Sequence, residues 1–175
     1  MQRILLAFML CLIPLSFAYA MDRFPALPSS LPKMEVVGEG NLSKLVFNVY
    51  DIALYAPNGA YEPSQPQAIT IRYHIKLDGY DIADRSVEEM QRQHISEAKL
   101  ARWHKAMMGI FPAVNDGSLL TAFHVPGGKT QFYLNNRHYI GAIADPEFGA
   151  AFFGIWLKQT TSEPELRLQL IGSLS

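Results

Sequence analysis

An α+β fold, an antiparallel β-sheet with helices layered on one face, is what three features of the 175-residue sequence predict. Strand-like runs fill the stretch from Met34 to Leu77. Apolar spacing then becomes helical as far as Phe111, and short strands return after an Asn115-Asp116-Gly117 turn. The last thirty or so residues are helical again.

The elements follow in order. Residues 21–33, MDRFPALPSSLPK, carry three prolines and no periodicity, and read as an extended lead-in. MEVVG, LVFNVYDIALYA and AITIRYHIKL are strands, the last two separated by the turn-rich PNGAYEPSQPQ. The third strand alternates: Ile69, Ile71, Tyr73 and Ile75 share one face, and Thr70, Arg72, His74 and Lys76 the other, which predicts one wet side. In LVFNVYDIALYA both faces are largely apolar, so this strand is covered on both sides. Two helices follow, broken near His94 to Ser96, with Ser86–Glu89 and Ser96 as helix-start signals. SLLTAFHV, KTQFYLN and RHYIGAIA, joined by PGG and by Asn135-Asn136, form a meander. Asp145 caps a helix beginning at Pro146, and Ser162 with Glu165 opens a last helix that stops at Gly172.

The first twenty residues have a basic start, a short apolar run interrupted by Pro14, and AYA at 18–20. They fit a secretory signal peptide cleaved after Ala20, and the run is shorter than the ~20 apolar residues of a membrane span. The expected division is therefore a signal peptide at 1–20, a lead-in at 21–33 and one domain at 34–175, with the periplasm as destination. Cleavage removes Cys11, the single cysteine, so disulfides and thiolate chemistry are excluded. It also removes Arg3, taking the formal charge from −1 to −2, a balance with no footprint for nucleic acid or anionic lipid.

Motifs for chemistry are sparse. His74, His94, His104, His124 and His138 show no HxH, HxxxH or HExxH spacing, so no local metal motif exists. GEG and PGG lack the phosphate-loop pattern, no GxSxG occurs, and no cofactor is implied. His104 beside Trp103, with Met107 and Met108, reads as the apolar face of a helix rather than a haem pocket. Asp145 and Glu147 read as helix-capping groups rather than paired catalytic carboxylates. Tyr50 and Tyr55 sit in the doubly covered strand, and each hydroxyl needs a partner, either protein or ligand.

YDIALYAP, the later YLNN with IGAIADPEF, and AFFGIWLKQTTSEPELRLQLIG, taken in this order and spacing, resemble the bacterial chalcone isomerase-like proteins over roughly residues 34–172. The resemblance implies an open-faced β-sandwich with a ligand cleft between sheet and helices. In the plant enzymes of the fold, an arginine before the long strand, a threonine on it, and a tyrosine and an asparagine on a helix line the cleft. Here those positions fall on Asn41 or Ser43, on Tyr50, on Ile82 with Tyr80 two residues earlier, and on Glu89. The arginine that holds a substrate or fatty-acid anion is missing; Arg72 and Lys44 are candidate substitutes that no motif places at the cleft. Enolate stabilisation needs a fixed cation and oriented donors, so the isomerase mechanism lacks its main parts.

The sequence thus leads to a protein with no catalytic residues assigned, binding a small apolar ligand, fatty-acid-like or aromatic, in a cleft lined by Tyr50, Ile82, Glu89, Tyr80 and Arg72. Two alternatives stay open. One is a divergent isomerase or lyase using Tyr80, Arg72 or His138, and the other is an envelope interaction module whose protein partner the sequence does not identify.

Overall fold

A computed structural model describes residues 24–173; the expected signal peptide and its cleavage site lie outside the described residues. Six strands, β1 (Glu35–Lys44), β2 (Phe47–Ala56), β3 (Gln67–Tyr73), β4 (Leu119–His124), β5 (Thr130–Leu134) and β6 (His138–Ile143), form one sheet in sequence order, antiparallel throughout. The helices α1 (Gly79–Gln91) and α2 (Glu97–Met108) are inserted between β3 and β4, while α3 (Pro146–Leu157) and α4 (Pro164–Leu170) follow the sheet.

Alternation decides which face meets the helices. Ile52, Leu54, Ile69, Ile71 and Leu120 point into the main core with Met90, Met107 and the α3 aromatics. Phe132 and Phe148 are fully buried there, and Phe152 meets Phe132 edge-on at 5.5 Å. Burying each phenylalanine contributes about 1.5–3 kcal/mol. Helix α3 is apolar on nearly every side because it packs against β5, α1 and α4 at once.

The opposite face departs from the wet side expected for β3. Ala68 and Thr70 are fully buried, and Phe24, Leu27, Leu31 and Met34 pack over Ala53, Tyr55, Ala68 and Phe123. Residues 24–33 pair with no strand, yet they cover the sheet as a strap, held where the Asn136 amide donates to the carbonyls of Pro25 and Ala26 at 3.3 and 3.0 Å. Beneath it the Thr70 and Thr121 hydroxyls share a hydrogen bond of 2.8 Å. Small β-branched polar residues and alternation misled here because coverage by a distant segment leaves no local trace.

Two helix starts also differ from expectation. The N-cap of α1 is Asp78, eight residues before Ser86, with Asp78 and Asp81 forming a reciprocal capping box. Ser86 lies mid-helix and donates to the Ile82 carbonyl at 2.7 Å. α4 begins at Pro164 with Glu163 as N-cap, so Ser162 and Glu165 form no box. The break around His94 (φ 58°) and the cap of α3 agree with the sequence, the Glu147 amide donating to Asp145 Oδ1 at 3.0 Å.

The GEG of residues 38–40 has a packing role. A Cβ on Gly38 would stand 2.1 Å from the Gln169 carbonyl oxygen, and one on Gly40 would stand 2.4 Å from Leu166 Cδ1. Two missing side chains let α4 lie directly on β1. The β1–β2 turn is unusual in another way, since Leu45 adopts φ 56°, a conformation costing a non-glycine residue roughly 1 kcal/mol.

Candidate ligand-binding site

A cavity of about 450 Å³ opens between the helix-facing side of β1–β3, the buried face of α1, the C-terminal half of α3 and the Ser162–Glu163 segment before α4. Its body is apolar, formed by Leu42, Ile71, Leu77, Ile82, Leu120, Phe152 and Ile155. The polar groups are few and mostly committed to one another.

Tyr50 reaches from β2 across the cavity wall to α3, where the Trp156 indole N–H donates to its hydroxyl at 2.9 Å. Its ring meets Tyr73 edge-on at 6.2 Å. Desolvation pushes the Tyr50 hydroxyl up to about 12, opposed by the Trp156 hydrogen bond and reinforced by Glu163 and Glu89. Tyr50 is therefore a neutral phenol, able to donate but not to act as a phenolate base. Burial raises Tyr73 further still.

On α1 the spacing of Ile82, Ser86 and Glu89 puts all three on the cavity side, with Arg85 beside them. Arg85 donates to Glu88 at 3.0 Å and to the buried Glu89, while Glu89 Oε2 makes no hydrogen bond. Arg92 Nε stands 3.4 Å from that oxygen, near enough for attraction but not aligned to donate. Lys44, which also lines the cavity, is paired with Glu163. Each cation at the wall already faces a carboxylate.

The structure brings Tyr50, Ile82 and Glu89 together in one lining, and leaves Tyr80 and Arg72 out of it. Arg72 lies on the strap side of β3, opposite Asp51, with its guanidinium 5.8 Å from the centre of the Phe24 ring. It cannot share a face with Ile71 and Tyr73, because strand side chains alternate. Tyr80, two residues before Ile82, is turned about 200° around the helix and is 65% exposed. His138 is exposed at the start of β6. The histidines disperse likewise: His74 pairs with Asp51 at 2.8 Å, His104 with Asp84 at 2.5 Å, and His124 is buried near Thr130. Among the described residues no group of three His, Cys, Asp or Glu is placed to hold a metal ion.

The sequence profile of the chalcone isomerase-like proteins matches residues 29–172. The chain belongs to the chalcone isomerase-like family. An uncharacterized protein of Haemophilus influenzae is 27% identical over 127 residues, covering 72% of this chain and 62% of the relative, so the chain spans less than two-thirds of that relative's length. The crystal structure of an Arabidopsis thaliana fatty-acid binding protein superposes with a TM-score of 0.66 at 11% identity, covering 86% of this chain and 91% of that one. The likeness is one of fold.

For this chalcone isomerase-like protein, sequence reasoning missed Arg85, Tyr73 and Trp156 as cavity residues. Arg85 was accessible in principle, since it stands three positions from Ile82 and four from Glu89 on one helix face. Trp156 was not, because its indole belongs to an apolar stripe and its partner lies 106 positions away.

Proposed function

We propose that this chalcone isomerase-like protein binds one small, largely apolar molecule, fatty-acid-like or aromatic, without transforming it, and does so in the periplasm. The observation that carries this reading is the cavity itself: about 450 Å³, apolar in its body, with a neutral donor in Tyr50 and cations already matched by carboxylates. That volume sits at the lower end of the range of about 300–1,000 Å³ for small-molecule sites, room for a single ligand.

Ring closure of a chalcone needs a cation free to hold an anion and donors aimed at a developing enolate. Ile82 offers no donor, and Arg85 and Lys44 are each held by acidic neighbours. Tyr80, Arg72 and His138 do not converge on one another, which removes the support for a divergent enzyme built on them. The fatty-acid binding protein of the same fold supports the apolar class of ligand, and the composition of residues 1–20 supports export.

Native mass spectrometry of the protein recovered from its own host, followed by denaturation and identification of what is released, tests the reading. A stoichiometric apolar molecule is expected. Protein that is reproducibly empty, and that fails to take up a polarity-sensitive fatty-acid probe, would overturn it.

A further inference from the structure

The β1–β2 turn breaks two rules at once. Leu45, Val46 and Phe47 are 99%, 89% and 66% exposed, three consecutive large apolar side chains in water. Leu45 also holds a positive φ, where hairpin turns call for Gly, Asn or Asp. The other connections between strands obey that chemistry, with Asn58-Gly59, Gly127 and Asn135-Asn136 at their positive-φ positions, while His94 (φ 58°) stands at the break between α1 and α2. A departure from both turn chemistry and burial at one site, with no packing gain in the folded chain, is the mark of a functional position.

The location gives the departure a meaning. Leu42 and Lys44 on one side of the turn and Val49 and Tyr50 on the other line the cavity, so the tip projects from its rim. Tyr80, also exposed, stands on α1 next to the lining residue Asp81. The apolar tip is a two-residue turn, Leu45-Val46, between two paired strands, with Phe47 opening the second. The nearest charge, Lys44, is neutralised by Glu163, so sinking the tip into an apolar medium strips water from no lone charge.

We infer that the Leu45–Val46–Phe47 tip inserts into a lipid bilayer and presents the cavity mouth to the membrane, so that an apolar ligand passes between bilayer and cavity without crossing water. The inference rests on the ligand-binding reading for the traffic it describes, but the docking itself is measured separately.

Val46→Cys and Ser64→Cys variants of the full chain, both carrying Cys11→Ser, are labelled with a polarity-sensitive fluorophore and mixed with phosphatidylcholine vesicles. Ser64 is exposed in the β2–β3 connection, at the opposite end of the sheet. The label at 46 should shift to the blue and be quenched by brominated acyl chains, while the label at 64 does neither. No response at 46, or equal responses at both positions as adsorption through the N-terminal residues would give, overturns the proposal. So does a blue shift without vesicles that grows with protein concentration, which would assign the tip to a second copy. Val46→Asp should weaken vesicle partition about tenfold or more, an Asp in a bilayer being strongly disfavoured. It should leave uptake of a soluble fatty-acid probe in vesicle-free buffer unchanged; a parallel loss there would make the tip part of the cavity wall and overturn docking. If the cavity takes up no probe while the label at 46 still inserts, the ligand-binding reading fails and the membrane contact stands.

Discussion

The Trp156 indole N–H donates to the Tyr50 hydroxyl at 2.9 Å, tying the C-terminal turn of α3 to the middle of β2 across the cavity wall. Tyr50→Phe removes the acceptor and strands a partly buried donor, which should lower stability by about 1–2 kcal/mol in urea unfolding. Trp156→Phe in the same background should cost less than it does alone, because the bond is already gone. Additive losses would show that the contact carries no coupling.

The same hydroxyl sets an alkaline limit. Its folded value is pushed up to about 12 by burial, whereas an unfolded tyrosine ionises at about 10. The unfolded chain therefore releases this proton first. The stabilisation is complete below about pH 10 and is lost as pH rises from there to about 12. Tyr55 on the strap side behaves alike, also raised to about 12 by desolvation. Ultraviolet titration of phenolate should lose a late component in Tyr50→Phe.

His124 produces the acid counterpart. It is 4% exposed and its ring occupies the space a Cβ on Gly149 would need, and burial lowers its pKa from the ordinary 6.5. The unfolded chain takes up the proton more readily, so stability is fully present above about pH 6.5 and declines as pH falls through the lowered folded value. Thermal unfolding of His124→Gln should show a shallower loss between neutral and mildly acidic pH than the parent protein.

Asp145 caps α3 and also accepts from Trp103 Nε1 at 2.9 Å. That hydrogen bond, with the Glu147 amide and the charges of Lys99 and Arg102, holds its pKa below the ordinary carboxylate value. Asp145→Ala should destabilise by about 1–2 kcal/mol, the cost of a lost N-cap. The stabilisation from the ionised group is present above the ordinary value of 3.8 and lost as pH falls through the lowered one, so the difference between parent and variant should shrink in strong acid.

Gly38→Ala tests the close packing of α4 on β1. Its methyl would meet the Gln169 carbonyl oxygen at 2.1 Å, forcing the helix outward at a cost of about 1–3 kcal/mol. Because Ser162 and Glu163 precede that helix and line the cavity, uptake of an apolar probe should weaken along with stability. Within the cavity, Ile82→Arg should abolish uptake by filling the space with a charged side chain.

Period and capping explain what could be read from the residues alone. The alternation of Ile69, Ile71 and Tyr73 placed the core face of β3, and Asp145-Pro146 placed the start of α3. The same alternation gave Arg72 the correct face but the wrong surroundings, since nothing near it in sequence shows that Phe24 returns to cover it. Ser86-x-x-Glu89 matches a capping signal, yet both side chains serve the buried face of α1. A local pattern fixes period well; whether it marks an end or a surface depends on what packs there.

The order of strands in the sheet has a consequence in time. Every strand pairs with its neighbour in the chain, and the one long excursion runs from Tyr73 to Leu119, carrying α1 and α2. The β1–β2–β3 and β4–β5–β6 halves each require only short loop closures, whereas their union waits for the helical excursion to fold back. The walls around Tyr50 draw on both sides of that excursion, since β1–β3, α1, β4 and α3 all contribute to them. A chain whose two half-sheets form before that closure holds an open trough where the cavity will be.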